Sequence, residues 1–214
     1  MLQPRYLLHT GEGDRFGEAV HHIDVYAFDS LGIYRKMFRD KGAHLKNGYR
    51  MPIDLPEGKW TFLCLGGKVG DYEIGIFKTG IPQQFSPAVS PGITTLSDFR
   101  VKAYFEQKEN LEYSLGELFF GRLDSVEITA DNGGTGVVDL MKNTNKIEVR
   151  VKGIADGSSA RITSDNGRFN SENVTPADAG TIIYVPYYSA SQTDDTRVFQ
   201  FDVLRLYTCL LYTS

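Results

Sequence analysis

Lys146-Ile147-Glu148-Val149-Arg150-Val151-Lys152 places every apolar residue on one face and every charge on the other, with a period of two. That alternation belongs to a strand with one face on a core and the other in water. Ser125-Val126-Glu127-Ile128-Thr129-Ala130 repeats it, and Phe199-Gln200-Phe201-Asp202-Val203 does so again. Helical periodicity is nearly absent. The predicted fold class is all-β.

Toward the N-terminus the strands change type. Ile23-Asp24-Val25-Tyr26-Ala27-Phe28-Asp29 and Trp60-Thr61-Phe62-Leu63-Cys64-Leu65 are apolar on nearly both faces. This is expected where a strand is covered by a second sheet or a long loop. Asp29-Ser30-Leu31-Gly32, Lys41-Gly42 and Leu55-Pro56-Glu57-Gly58 are turn signals; in the last, Pro presets φ and Gly accepts a positive one. From about Gly66 to Ser97 glycines and prolines are frequent and periodicity is weak, which reads as a long loop of the kind that often carries function. Val101–Glu106 reads as a returning strand. Gly116-Glu117-Leu118-Phe119-Phe120-Gly121 shows neither clear alternation nor a turn signature and reads as a connector. It predicts a boundary near Arg122, with one domain over 1–121 and a second over 122–207. In the second half, Asp131-Asn132-Gly133-Gly134 is expected to close a hairpin between Val126–Ile128 and Val137–Leu140. Ala160–Ile162, Ile182–Val185 and Phe199–Leu206 supply further strands.

The 214 residues suffice for one large domain or two small ones. A formal net charge of −4 argues against a nucleic-acid partner, because phosphate binding needs a basic face. No segment approaches the about 20 apolar residues of a membrane span. The start, MLQPRYLLHT, has neither a charged nor an apolar leader region. At face value that means a cytoplasmic protein; the other reading is that a chain beginning almost directly in a strand-like segment has lost its leader, which is what the family resemblance given below implies.

Candidate chemistry is sparse. Cys64 lies in an apolar run and reads as a small buried hydrophobe; with Cys209 it cannot make the ligand set of a structural zinc site. His21 and His22 are adjacent, and neighbours on a strand point to opposite faces, so they do not converge on one ion. Gly11-Glu12-Gly13-Asp14-Arg15-Phe16-Gly17 has the wrong glycine spacing for a dinucleotide fingerprint. Asp131–Gly136 lacks the ligand spacing of a helix–loop–helix calcium site. Arg35, Lys36, Arg39, Lys41 and Lys46 form a basic cluster around a predicted hairpin. It reads as a solvated face that can also discourage edge pairing or offer sites to an arginine- or lysine-specific protease. No nucleophile, metalloprotease or paired-carboxylate motif stands out, so no enzyme, metal or cofactor is predicted. Tyr184, Tyr187 and Tyr188, beside Pro186, are the residues placed to meet a partner or stack on a sugar; the alternative is that they finish a core.

Four segments, in order, resemble the FimB-like fimbrial anchor and tip proteins of Bacteroidales. Val25-Tyr26-Ala27-Phe28-Asp29-Ser30-Leu31-Gly32 is similar to a "v-y-x-F-D-x-x-G" strand and turn. Asp54-Leu55-Pro56-Glu57-Gly58-Lys59-Trp60-Thr61-Phe62-Leu63 is similar to an "l-p-x-G-k-y-t-f" hairpin. Glu117-Leu118-Phe119-Phe120-Gly121 is similar to a "d-L-f-y-G" connector. Val138-Asp139-Leu140-Met141-Lys142-Asn143-Thr144-Asn145-Lys146-Ile147-Glu148-Val149 is similar to "v-x-L-x-r-n-x-n-k-I-x-V".

The resemblance implies two tandem transthyretin-like, Greek-key β-sandwich domains. It implies an exported lipoprotein of the outer membrane that anchors or caps a fimbria, without catalysis, and whose partners are the stalk and accessory pilins. Such pilins are joined by strand insertion, main-chain hydrogen bonds supplying affinity and alternate side chains filling pockets. The chain departs from the pattern at both ends. The signal peptide and lipobox cysteine are missing. The last residues, Cys209–Ser214, resemble translated sequencing adapter, so 208–214 is expected to be a non-native tail and the second sandwich incomplete. The rival reading is a surface glycan-binding (adhesin) lipoprotein module, using the Gly66–Ser97 loop with Tyr187 and Tyr188.

Overall fold

Trp60–Leu65, apolar on both faces in the sequence, lies at the centre of the molecule. The computed structural model describes residues 1–8, 13–78, 84–103, 110–111, 114–131, 133–155, 157–191 and 195–205. Within them the first half forms β1 (Leu2–Tyr6), α1 (Phe16–Ala19), β2 (His22–Phe28), β3 (Tyr34–Lys41), β4 (Gly58–Gly67), a 3-10 turn (Val69–Asp71), β5 (Tyr72–Lys78), β6 (Gln84–Ser86), β7 (Phe99–Ala103) and β8 (Asn110–Leu111). There follow β9 (Leu118–Ile128), β10 (Gly136–Lys142), β11 (Thr144–Lys152), β12 (Ile162–Ser164), β13 (Arg168–Asn170), β14 (Ile182–Tyr184), β15 (Tyr188–Ser191) and β16 (Thr196–Leu204). The chain is all-β, as the alternation predicts, with α1 a single turn.

The strands lie in four sheets: β1-β10-β9-β4-β2-β3, β13-β7-β5-β6, β11-β16-β15 and β12-β14-β8. β4 is paired antiparallel on both edges, to β2 and to β9. Its side chains alternate between two cores. Phe62 and Cys64 pack with Ile23, Val25, Ala27 and Phe16. Leu63 and Leu65 pack with Tyr26, Phe28, Phe99 and Val101. One face is thus covered by the β7-containing sheet. The other is covered by α1 and by Leu45 and Met51 from the segment after β3. Both covers foreseen for a doubly apolar strand are present, a sheet on one side and a loop on the other. Burying each such large side chain contributes about 1.5–3 kcal/mol relative to leaving it in water.

Two of the resembling segments are structural devices. At the β2–β3 turn the Asp29 carboxylate accepts hydrogen bonds from the amides of Leu31 (2.9 Å) and Ile33 (3.0 Å), and Gly32 supplies φ +72°. Burial alone would raise the Asp29 pKa; the hydrogen bonds from Ile33, Arg35 and Leu31 hold it below its ordinary value. Before β4, the Trp60 indole donates to the Pro56 carbonyl (3.1 Å), locking the turn against the strand it feeds.

Two expectations need correcting. Gly66–Ser97 is not one long loop: it contains the end of β4, the 3-10 turn, β5 and β6. Gly75, which reads as a loop signal, is a close approach inside β5, where a Cβ would lie 2.0 Å from the Ser86 carbonyl oxygen. Nor is Gly116–Gly121 a connector, because Leu118 begins an eleven-residue strand, β9. Leu118 and Phe120 enter one core and Phe119 the other. A strand buried on both faces has no alternation to read. The boundary expected at Arg122 accordingly falls within β9, and the chain passes from one sheet to another at Asn143, between β10 and β11.

The second half follows its pattern more closely. β11 pairs with β16 across nine residues, Ile147 opposite Phe201 and Val149 opposite Phe199. Ile147, Val149 and Val151 are half-buried, and Glu148, Arg150 and Lys152 are exposed. The strands expected from Ala160 and Ile182 occur at Ile162–Ser164 and Ile182–Tyr184. β9 and β10 are antiparallel, but their ladder joins Phe119–Phe120 to Met141–Lys142; among the described residues it does not include the expected pairing of Val126–Ile128 with Val137–Leu140. Residues 104–106, Asn132 and Leu206 onward, including Cys209 and the tail 208–214, lie outside the described residues.

Three pairings cross the chain. β13 pairs with β7, β14 runs parallel to β8, and β1 runs parallel to β10 from Leu2↔Gly136 to Tyr6↔Leu140. Substituting Leu63→Ala, fully buried in β4, is expected to cost about 2–5 kcal/mol. Leu31→Ala, at a residue 80% exposed in the β2–β3 turn, should stay within about 0.5 kcal/mol. Urea titrations of the two variants check this; equal midpoints would contradict the placement of β4.

Candidate partner-binding surfaces

The three tyrosines singled out in the sequence do not form one surface. Tyr184, at the end of β14, is 1% exposed. Its hydroxyl donates to Asn166 Oδ1 (2.9 Å) and accepts from the Leu204 amide (3.2 Å), while Asn166 Nδ2 donates to the Leu204 carbonyl (3.0 Å). Burial raises its pKa, against the lowering effect of those two bonds. Tyr184 is therefore a core residue that ties β14 to the end of β16, the alternative that the sequence left open, and a side chain enclosed and bonded in this way does not reach a ligand. Tyr187 is half-buried, and its hydroxyl donates to Gln200 Oε1 (3.3 Å). Tyr188, which opens β15 opposite Gln200, is 45% exposed. These two remain near each other at the surface.

Of the basic cluster, Arg35, Lys36, Arg39 and Lys41 fall on β3, the edge of the six-stranded sheet, and Lys46 lies in the segment after it. Arg35 pairs with Asp29 (2.5 Å), Lys36 with Asp54 (3.4 Å) and Arg39 with Asp24 (2.7 Å). Asp24 is fully buried in β2, and its two oxygens are held by Arg39 Nε and Nη2, with His22 Nε2 also 2.9 Å from Oδ1. A buried carboxylate is tolerated only when paired and hydrogen-bonded in this way. The cluster thus blunts an open edge and neutralises a buried acid at once.

A cleft of about 860 Å³ opens at the end of that sheet where β2 begins and β3 and β4 finish. His21, His22, Lys41, Lys68, Glu117 and Lys146 reach it from five separate segments. Sequence reading flagged the histidines and Lys41 separately; Lys68 and Lys146 carried no signal, because only the fold brings the segments together. Among the described residues no group of three or more His, Cys, Asp or Glu is placed to hold a metal ion, and no helix is long and apolar enough to cross a membrane. Cys64 is fully buried in β4, where desolvation pushes its thiol up to about 12. Such a thiol is a packing group, as expected from its apolar run, and not a nucleophile.

The sequence pattern of the fimbrillin-A associated anchor proteins Mfa1 and Mfa2 matches residues 1–209. The chain belongs to this family. As a member of the Mfa1/Mfa2 anchor family it is assigned to the fimbrial machinery of the cell surface, with fimbrial subunits as partners. Solved structures share the fold. The fimbrial anchor protein Mfa2 from Porphyromonas gingivalis superposes with a TM-score of 0.71 at 20% identity, covering 96% of this chain and 72% of that one. A proposed polysaccharide-binding protein from Bacteroides thetaiotaomicron gives 0.76 at 20% identity, covering 96% and 70%. A proposed adhesin from Bacteroides ovatus gives 0.76 at 23% identity, covering 97% and 68%. No curated protein sequence matches the chain.

The different roles of the tyrosines are testable. Tyr184→Phe removes a buried hydroxyl and leaves Asn166 Oδ1 and the Leu204 amide short of a partner, an expected loss of about 1–3 kcal/mol. Tyr188→Ala should change stability by less than about 0.5 kcal/mol. Thermal unfolding of both variants decides; a Tyr184→Phe protein as stable as the parent would contradict the bonded core position.

Proposed function

We propose that this chain anchors or caps a fimbria on the outer membrane, meeting a stalk or accessory pilin through a strand-exchange type of contact. Membership of the Mfa1/Mfa2 anchor family is the observation that carries this reading. Attachment to the membrane is through an N-terminal lipid. The chain acts as two transthyretin-like sandwich units. The role is structural and not enzymatic.

Two features support a strand-based joint. β11 pairs on one side only among the described residues, which leaves main-chain donors and acceptors for an added strand. β1 shows that the six-stranded sheet takes up a strand remote in sequence: it lies parallel to β10 with Leu2, Pro4 and Tyr6 buried. Alternate side chains filling a groove while the backbone completes a ladder is the physics of strand addition.

Deletion of the gene should leave fimbriae shed or altered in length, and the full-length protein should capture fimbrial stalk subunit. Unchanged fimbriae and no capture would overturn the anchor role. Hydrogen exchange reads the contact: a strand joint protects a run of backbone amides along one edge strand on adding the stalk subunit. Capture without such protection would replace strand exchange by side-chain docking.

The glycan-binding alternative retains one specific support, the adjacent Tyr187 and Tyr188, since the other part of that reading, one long Gly66–Ser97 loop, is interrupted by β5 and β6. The exposed Tyr188 ring, beside half-buried Tyr187 and Gln200, can stack on a sugar. A glycan array with the parent, Tyr187→Ala and Tyr188→Ala decides: this reading expects binding that the two variants lose.

A further inference from the structure

The cleft at the end of the six-stranded sheet has a charge pattern opposite to that of the chain. Its wall carries Lys41 from β3, Lys68 from the 3-10 turn and Lys146 from β11. Among the described residues none of these three has a carboxylate within ion-pair distance, whereas Arg5, Arg35, Lys36, Arg39, Lys102 and Lys142 all do. The two carboxylates in the wall are already engaged. Glu117 is paired with Lys142 (2.5 Å), and Asp71 Oδ2 accepts the Gly116 amide (2.9 Å). In a chain of formal charge −4, positive charge is therefore concentrated in one concave place. With Glu117 neutralised by Lys142, three lysines face one remaining carboxylate, Asp71, and such a local excess of positive charge in a concave site attracts an anion.

The shape agrees with a small ligand. Buried Val69 and Leu115 form an apolar part of the lining. Gly70 has nothing within 4 Å of where a Cβ would stand, so the wall there is open to a ligand. Gly116 is the opposite case. A Cβ on it would lie 2.3 Å from Lys68 Cβ, so the absence of a side chain is what lets the Lys68 stem lie against this wall. Three cations around a partly apolar hollow suit a ring with acidic substituents better than a single inorganic ion.

We propose that this cleft binds a saccharide bearing sulfate or phosphate ester groups, with Lys41, Lys68 and Lys146 holding the esters. The inference is independent of the anchor role and of Tyr187 and Tyr188. A site here would let the protein engage an acidic glycan, from host matrix or from the bacterial envelope, while its strand edges remain available.

Isothermal titration of the full chain with three probes tests it: a heparin-derived sulfated disaccharide, its unsulfated counterpart, and glucose 6-phosphate. At least one charged probe should bind and the unsulfated sugar should not; which charged probe binds distinguishes sulfate from phosphate esters as the source. The double variant Lys68→Gln/Lys146→Gln should weaken that binding about tenfold or more, and Lys59→Gln, exposed on β4 outside the cleft, should leave it unchanged. Both cleft lysines are exposed, so circular dichroism of the double variant should match the parent. Failure of both charged probes, equal binding of the unsulfated sugar, or undiminished binding by the double variant would each overturn the proposal.

Discussion

The structure depends on one strand that has no side in water. β4 is hydrogen-bonded along both edges and packed on both faces, so it can exist only where four other parts of the chain close around it. β2 and β9 complete its ladder, the β7-containing sheet covers one face, and α1 with Leu45 and Met51 covers the other. The only charged side chain buried on β2, Asp24, marks how strict the enclosure is: it required Arg39 from the edge strand and His22 from its own. Such an ion pair does little for net stability, but a single substitution that orphaned the carboxylate would be costly.

This enclosure explains what could and could not be read from the residues. β11 was legible because it turns one face to solvent, and the alternation of Ile147, Val149 and Val151 against charged neighbours records it. β2 and β4 were legible as strands with two covers, although the identity of the covers was not. The covers themselves misled. β5 carries Gly75 where the Ser86 carbonyl comes close, and a glycine required by contact looks the same in sequence as one required by a turn. Leu118-Phe119-Phe120 begins a strand enclosed on both sides, so it has no polar face to give it a period. The pairing of β7 with β13, and of β1 with β10, joins residues too far apart for any local pattern to record.

The surfaces were less legible than the fold, for a related reason. Tyr184 and Tyr188 lie four residues apart with the same side chain, yet one ties two strands together in the core and the other faces water; only the register of β14 and β15 separates them. The basic cluster on β3 was visible as composition, but its meaning came from Asp24, Asp29 and Asp54, which reach it from elsewhere. The cleft draws on five segments and so had no sequence signature at all. Family membership, by contrast, was carried by short motifs, at least two of which turn out to be local devices: the Asp29 turn and the Trp60–Pro56 lock. Motifs of this kind preserve a fold's joints, and they identify relatives without locating what those relatives bind.

β1 has a consequence for how the protein is made. Its partner residues lie about 134 positions later, as the Arg5–Asp139 bridge shows. A chain emerging from the ribosome or a translocation pore in sequence order therefore produces its first strand long before that strand has anywhere to pair. Closing so large a loop is slow relative to local hairpins such as β2–β3, whose residues are neighbours. β1 is thus made long before β10 and is among the last strands to be fixed, and until β10 is in place the sheet keeps an unfilled margin beside it. Whatever attends this protein during export has to protect that interval.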